Sequence, residues 1–149
     1  MHNVEGIIFD WVGTLYERDK DLFPESYEVI RKLSEKYNLG LVSIAKKGAE
    51  NSRWREIELS GLTPYFKEIY VCQEKAPEMY KECMDKSGSD SKSTIIIGDR
   101  TIRDVKIVNE LGCRSFWIRK GEYANELPDK ETGKPTYTIK NLKDILRVL

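Results

Sequence analysis

Short apolar runs and amphipathic stripes alternate along the whole chain. Val4, Ile7, Ile8 and Phe9, with Gly6 among them, form a short and partly β-branched run, the composition of a strand buried on both faces. Pro24 then opens a helix in which Val29, Ile30, Leu33 and Tyr37 make one apolar stripe. Residues 39–44 predict a second strand, residues 50–59 a helix stopped by Gly61, and residues 68–72 a third strand. Pro77 starts a helix that turns Met79, Tyr80, Cys83 and Met84 inward and ends in the polar stretch 87–93. Residues 94–97 read as another fully buried strand, followed by a helix with Ile102, Val105, Val108 and Leu111 on its inner side. Residues 113–118 and 136–139 predict two more strands, the last at an edge. Leu142, Ile145, Leu146 and Leu149 repeat at helical spacing after Asn141, which is placed as N-cap.

Strands and helices in strict alternation, joined by short connections, imply an α/β fold: a three-layer, Rossmann-like arrangement with a mainly parallel sheet and helices on both faces. Residues 1–149 are expected to form one domain, with residues 119–135 as a surface loop. At 149 residues the chain is long enough for one sizeable core.

Composition narrows the chemistry. Lys+Arg and Asp+Glu are 25 each, so no net field favours nucleic acid or an anionic membrane. Cys72, Cys83 and Cys113 are an odd number of widely spaced thiols in apolar stretches, which points to a reduced, cytoplasmic protein without a zinc-type cluster. The only histidine is His2, so histidine-based catalysis has no support. No leader is expected ahead of Val4, and no apolar run reaches the ~18 residues a membrane span needs.

The polar groups that interrupt this pattern fall at strand ends. The first strand ends at Asp10, the second carries Ser43, the third leads to Lys75, and the fourth runs into Gly98-Asp99. In a parallel sheet all those ends lie on one edge, the edge where open α/β sheets bind ligands. A buried ionised carboxylate needs water, a partner or a metal. Several carboxylates suit a hard cation such as Mg2+, while the lysine and hydroxyl suit a phosphoryl group. Asp104 adds a further acid from the helix after Asp99, although Thr101 to Asp104 also fits a capping box. Taken singly, Ser43 reads as a hydroxyl satisfying backbone and Lys75 as a solvated loop lysine. The order of the set is what gives it meaning.

That set resembles the haloacid dehalogenase-like (HAD) superfamily of hydrolases. Asp10-Trp11-Val12-Gly13-Thr14 is similar to its first motif, Leu41-Val42-Ser43 to its second, Lys75-Ala76-Pro77 to its third, and Gly98 to Asp104 to its acidic fourth. The resemblance implies a Mg2+-dependent phosphatase with Asp10 as nucleophile. It also implies Mg2+ held by Asp10, the Val12 carbonyl, Asp99 and Asp104, and a phosphoryl group bound by Ser43, Lys75 and Thr14. Family phosphatases carry a second aspartate two residues after the nucleophile as acid and base; here that position is Val12. Two alternatives therefore stand beside the phosphatase: a binding or regulatory module that keeps the metal and phosphate pocket, and a dehalogenase or phosphonate-type hydrolase. The short spans after Thr14 and after Cys72 leave no room for an inserted cap, which implies an open site. Such a site suits a large phosphorylated substrate, or a second copy of the chain as a cover. Lys46, Lys47, Arg100, Arg103 and Arg119 are candidates for its rim, each more simply read as a solvated charge.

Overall fold

The structure is a computed structural model that describes residues 3–149; His2 lies outside the described residues. Six strands form a single sheet: β1 (Gly6–Phe9), β2 (Asn38–Ile44), β3 (Glu68–Cys72), β4 (Thr94–Gly98), β5 (Arg114–Ile118) and β6 (Tyr137–Ile139). Their order is β3-β2-β1-β4-β5-β6, and every neighbouring pair is parallel. Four α-helices lie between strands, α1 (Ser26–Ser34), α2 (Glu50–Leu59), α3 (Pro77–Ser87) and α4 (Lys106–Leu111), and α5 (Ile145–Val148) follows β6.

The period of two along each strand sorts the core into two layers. Ile7 and Phe9 of β1, with Leu39, Leu41, Ile95, Ile97, Phe116 and Ile118, face Val29, Ile30 and Leu33 of α1, Ile57 of α2, and Ile145 of α5. Ile8, Val42 and Ile96 face the other way, onto Tyr80, Cys83 and Met84 of α3 and Val108 of α4. Burial on both faces is why these strands read as continuous apolar runs. Asn141 caps the final turn through a reciprocal capping box with Asp144.

One sequence expectation is overturned. After β4 the chain makes a π-helical turn over Thr101–Val105 before α4 begins. Wider than an α turn, it rotates the first residues off the expected stripe. Ile102 is 52 % exposed, while Val105 and Val108 are buried as expected. The N-cap is Arg100, not Thr101, and the Thr101 hydroxyl donates instead to Glu126.

The strand order reverses beside β1, whose neighbours β2 and β4 lead to opposite halves of the sheet. Above that point the carboxyl ends open a crevice. Residues 10–25 form a tight loop over one side of it, tied by bridges from Val12 to Tyr16 and from Tyr16 to Leu22. Neither this loop nor residues 73–76 contains an inserted domain.

Candidate active site

Three aspartates meet at the crevice. Asp10 follows β1, Asp99 follows β4, and Asp104 is on the π turn; all are buried, and each offers an oxygen within 4.8 Å of the others. The main chain is shaped to let them meet. Gly13 turns at φ +86°, and a Cβ there would overlap the Asp99 carboxylate. A Cβ on Gly98 would likewise overlap Asp104. The Trp117 indole N–H donates to the Asp99 carbonyl oxygen at 3.0 Å, pinning that corner to β5.

Lys75 lies among these acids with its side chain 1 % exposed, donating to Asp10 Oδ1 at 2.9 Å and to Asp104 Oδ1 at 2.7 Å. The loop-lysine reading is thus excluded. Burial works against its charge, but the two carboxylates outweigh it and hold the ammonium above its ordinary pKa. Burial would also raise Asp104, yet Lys75 and Arg103 hold it below the usual carboxylate range. Asp104 also performs the helix-start role anticipated for it, because Oδ2 accepts the Arg100 backbone N–H at 3.1 Å. Asp99 differs: burial, reinforced by Asp10 and Asp104, pushes it up to about 9.

The donor set fits a hard divalent cation. It consists of carboxylate oxygens alone, and Asp99 Oδ1 is buried with no hydrogen-bond partner, a costly state that a cation relieves. Val12 lines the same cavity of about 290 Å3 as Asp10, Asp99, Arg53 and Arg103. A neighbouring cavity of about 500 Å3 shares Val12, Arg18 and Asp99 and runs on to Phe23 and Lys120.

A profile of the HAD-hydrolase-like family matches residues 71–145, a span that takes in Lys75, Asp99 and Asp104. The chain belongs to the HAD-like hydrolases. Among curated relatives, a glyceraldehyde 3-phosphate phosphatase of Methanocaldococcus jannaschii is 26 % identical over 80 % of this chain and 54 % of its own length. A protein of the same name from Pyrococcus furiosus is 24 % identical over 81 % of this chain and 51 % of its own. The chain thus spans about half the length of the curated relatives it matches. Among solved structures, magnesium-bound HAD-hydrolase YfnB of Bacillus subtilis superposes with TM-score 0.71 at 23 % identity, covering 86 % of this chain and 56 % of that one. A haloacid dehalogenase-like protein of Streptococcus pneumoniae superposes with TM-score 0.77 at 15 % identity over 99 % of both chains.

Within this HAD-like frame the remaining residues take their places. Thr14 is fully buried, and its hydroxyl reaches Asp10 Oδ2 at 3.5 Å. Ser43 is also fully buried and accepts from Arg53 Nη1 at 2.6 Å. Of the five rim candidates, Lys46, Arg100 and Arg103 line the cavity with Asp10. Arg100 lies over the Tyr123 ring and pairs with Glu126 at 2.8 Å. Arg119 turns away, onto the Ala124 carbonyl and the Trp117 ring, and Lys47 is exposed. Arg103 is no solvated charge. It approaches Asp10 at 3.4 Å, Asp104 at 3.3 Å and Asp99 at 3.8 Å.

One contributor escaped the sequence reading, and another was read only as a rim charge. Arg103 was one surface charge among several, and only the π turn aims it inward. Arg53 sits in a mainly polar helix, where an arginine three residues before Glu56 reads as an exposed ion pair.

Proposed function

We propose that this chain is a Mg2+-dependent phosphohydrolase acting on phosphate monoesters through Asp10. One observation carries the reading: in a HAD-like chain, Asp10, Asp99 and Asp104 converge beside a fixed Lys75 at the carboxyl edge of a parallel sheet. The phosphatase names of the relatives support this choice over the dehalogenase and phosphonate alternatives. Asp99, Asp104, Asp10 and the carbonyl of Val12 would hold the cation, which when bound neutralises phosphoryl and carboxylate charge. An Asp10 carboxylate oxygen attacks phosphorus, and the ester oxygen leaves with the bonding electrons. Lys75 and Ser43 hold the transferring oxygens, and Thr14 steadies Asp10. Water then attacks the aspartyl-phosphate and releases orthophosphate. The reading includes a reducing, cytoplasmic setting, supported by three thiols free of any disulfide; among the described residues no helix is long and apolar enough to cross a membrane.

The test is hydrolysis of an activated aryl phosphate with Mg2+ and with chelator. Activity should require Mg2+ and vanish in Asp10→Asn while the fold persists. Retention of activity within a few-fold of wild type would remove Asp10 from its role. Val12 favours a second reading, a module that binds phosphoryl ligands and turns over slowly, because no side chain there supplies the acid and base. Absence of even a single-turnover burst on the aryl substrate, with phosphate binding intact, selects that reading.

A further inference from the structure

The cavity beside Asp10 is lined by a further built-in cation, besides Arg103, that the HAD-like motifs do not name. Arg53, near the start of α2, is held from three sides with its side chain 17 % exposed. Its Nη1 donates to Ser43 Oγ at 2.6 Å and to the Ile44 carbonyl oxygen at 2.5 Å. Its Nε pairs with Glu56 Oε1 at 3.3 Å. Glu56 Oε1 in turn accepts the Trp11 indole N–H at 2.7 Å, which ties the arrangement to the residue after Asp10. These contacts use Nη1 and Nε. Among the described residues nothing accepts from Nη2, and Arg53 lines the cavity that holds Asp10, Asp99 and Arg103.

A second consequence follows from donor chemistry. A guanidinium has no acceptor, so the Ser43 oxygen must accept from Arg53, and its own proton must go elsewhere. Among the described residues no acceptor takes it. The Ser43 hydroxyl is thereby set as a donor, and the two donors of Arg53 Nη2 are uncommitted; Arg53 itself lines the cavity, while Ser43 is fully buried. Paired donors on a fixed planar fork match two oxygens of a tetrahedral phosphoryl group.

We infer that Arg53 is a phosphoryl-binding residue: Nη2 donates to the phosphoryl oxygens, and Nη1 orients Ser43 to do the same. The inference rests on the phosphohydrolase reading and deepens it. It gives the substrate phosphoryl group, and the orthophosphate product, a guanidinium contact in addition to Lys75.

The experiment measures orthophosphate binding calorimetrically to the full chain with saturating Mg2+, which needs no turnover. Charge-assisted hydrogen bonds of this kind are worth roughly tenfold to a hundredfold in affinity, so Arg53→Met should weaken orthophosphate binding by that factor. Arg53→Lys should recover part of it, and KM for an aryl phosphate should rise by a similar factor in Arg53→Met. Arg55→Ala, at an exposed arginine of the same helix, should bind orthophosphate normally, which separates contact from general charge. Thermal stabilisation by Mg2+ should be unchanged in every variant. If Arg53→Met misfolds, Arg53→Gln takes its place in the same measurement. Orthophosphate bound at wild-type strength by the neutral variant overturns the assignment and leaves the phosphatase reading standing. A wild-type chain that binds Mg2+ but no orthophosphate overturns both.

Discussion

Val12 and Asp99 decide how the site behaves. General acid–base help is worth roughly 10²–10⁴-fold, and Val12 provides none. An alkyl phosphate should therefore react far more slowly than an aryl phosphate, and Val12→Asp should raise alkyl-phosphate turnover by at least about an order of magnitude. Steady-state kinetics on both proteins would show this; a wild type already brisk on alkyl esters would mean that another group supplies the proton. Asp99 answers to pH. Its folded pKa of about 9 lies far above the unfolded value near 4. The stability it contributes is complete below the unfolded value and drains away as pH rises through the folded one. In chelator, Asp99→Asn stays uncharged at every pH, so its thermal midpoint should gain on wild type steadily from about pH 5 to about pH 8. A difference that stays flat or shrinks over that range would contradict the burial-driven shift. With Mg2+ the order should reverse, wild type being stabilised more than the variant. Asp10, Asp99, Asp104, Lys75 and Ser43 were legible in the sequence because strand ends in a parallel sheet share one edge. Arg53 was not, and Arg103 was legible only as a rim charge, since a surface arginine and a site arginine have the same local sequence signature.

Local elements convert that edge into a site. The loop after β1 must bring its backbone against Asp99, and Gly13 satisfies both demands, a left-handed φ and the absence of a Cβ. Gly13→Ala faces a positive-φ penalty of ~1–2 kcal/mol, before any displacement of Asp99. The thermal midpoint should fall by roughly 2–8 °C, and the Mg2+ response should weaken with it. A variant that melts and responds to Mg2+ like wild type would show that the loop holds Asp99 by other means. The same scale explains where periodicity misled. An apolar residue at position 102 fits an α-helical stripe, but the extra residue in the π turn moves Ile102 outward and directs Arg103 and Asp104 toward the carboxylates. Hydrophobic spacing carries no signal for such a turn; the competing demand is the Asp104 carboxylate, which must reach both Lys75 and the Arg100 N–H.

At the scale of the molecule, the alternation of runs and stripes was enough to read the layer architecture, because a parallel sheet buried on both faces leaves long apolar runs at every strand. The two cavities at its carboxyl edge are lined by loops together with Arg53 of α2 and Arg103 of the π turn, and within residues 3–149 no inserted domain covers them. If substrates meet that open surface directly, a phosphotyrosyl peptide and free phosphotyrosine should be hydrolysed with kcat/KM values within about tenfold, a difference near 1.4 kcal/mol. A much larger deficit for the peptide, measured side by side, would reveal a cover over the cleft. Strand order has a further consequence, for biosynthesis. Of the six strands β1 leaves the ribosome before the others, yet it is central, and Gly6–Phe9 pair with Thr94–Ile97 on one side. Until residue 97 has been made, that flank of β1 has no partner. The nascent chain therefore carries a bare apolar edge while residues 10–97 are being made, the kind of surface that chaperones shield. Asp99 and Asp104 emerge later still, so the acidic cluster can assemble only after that edge has been closed.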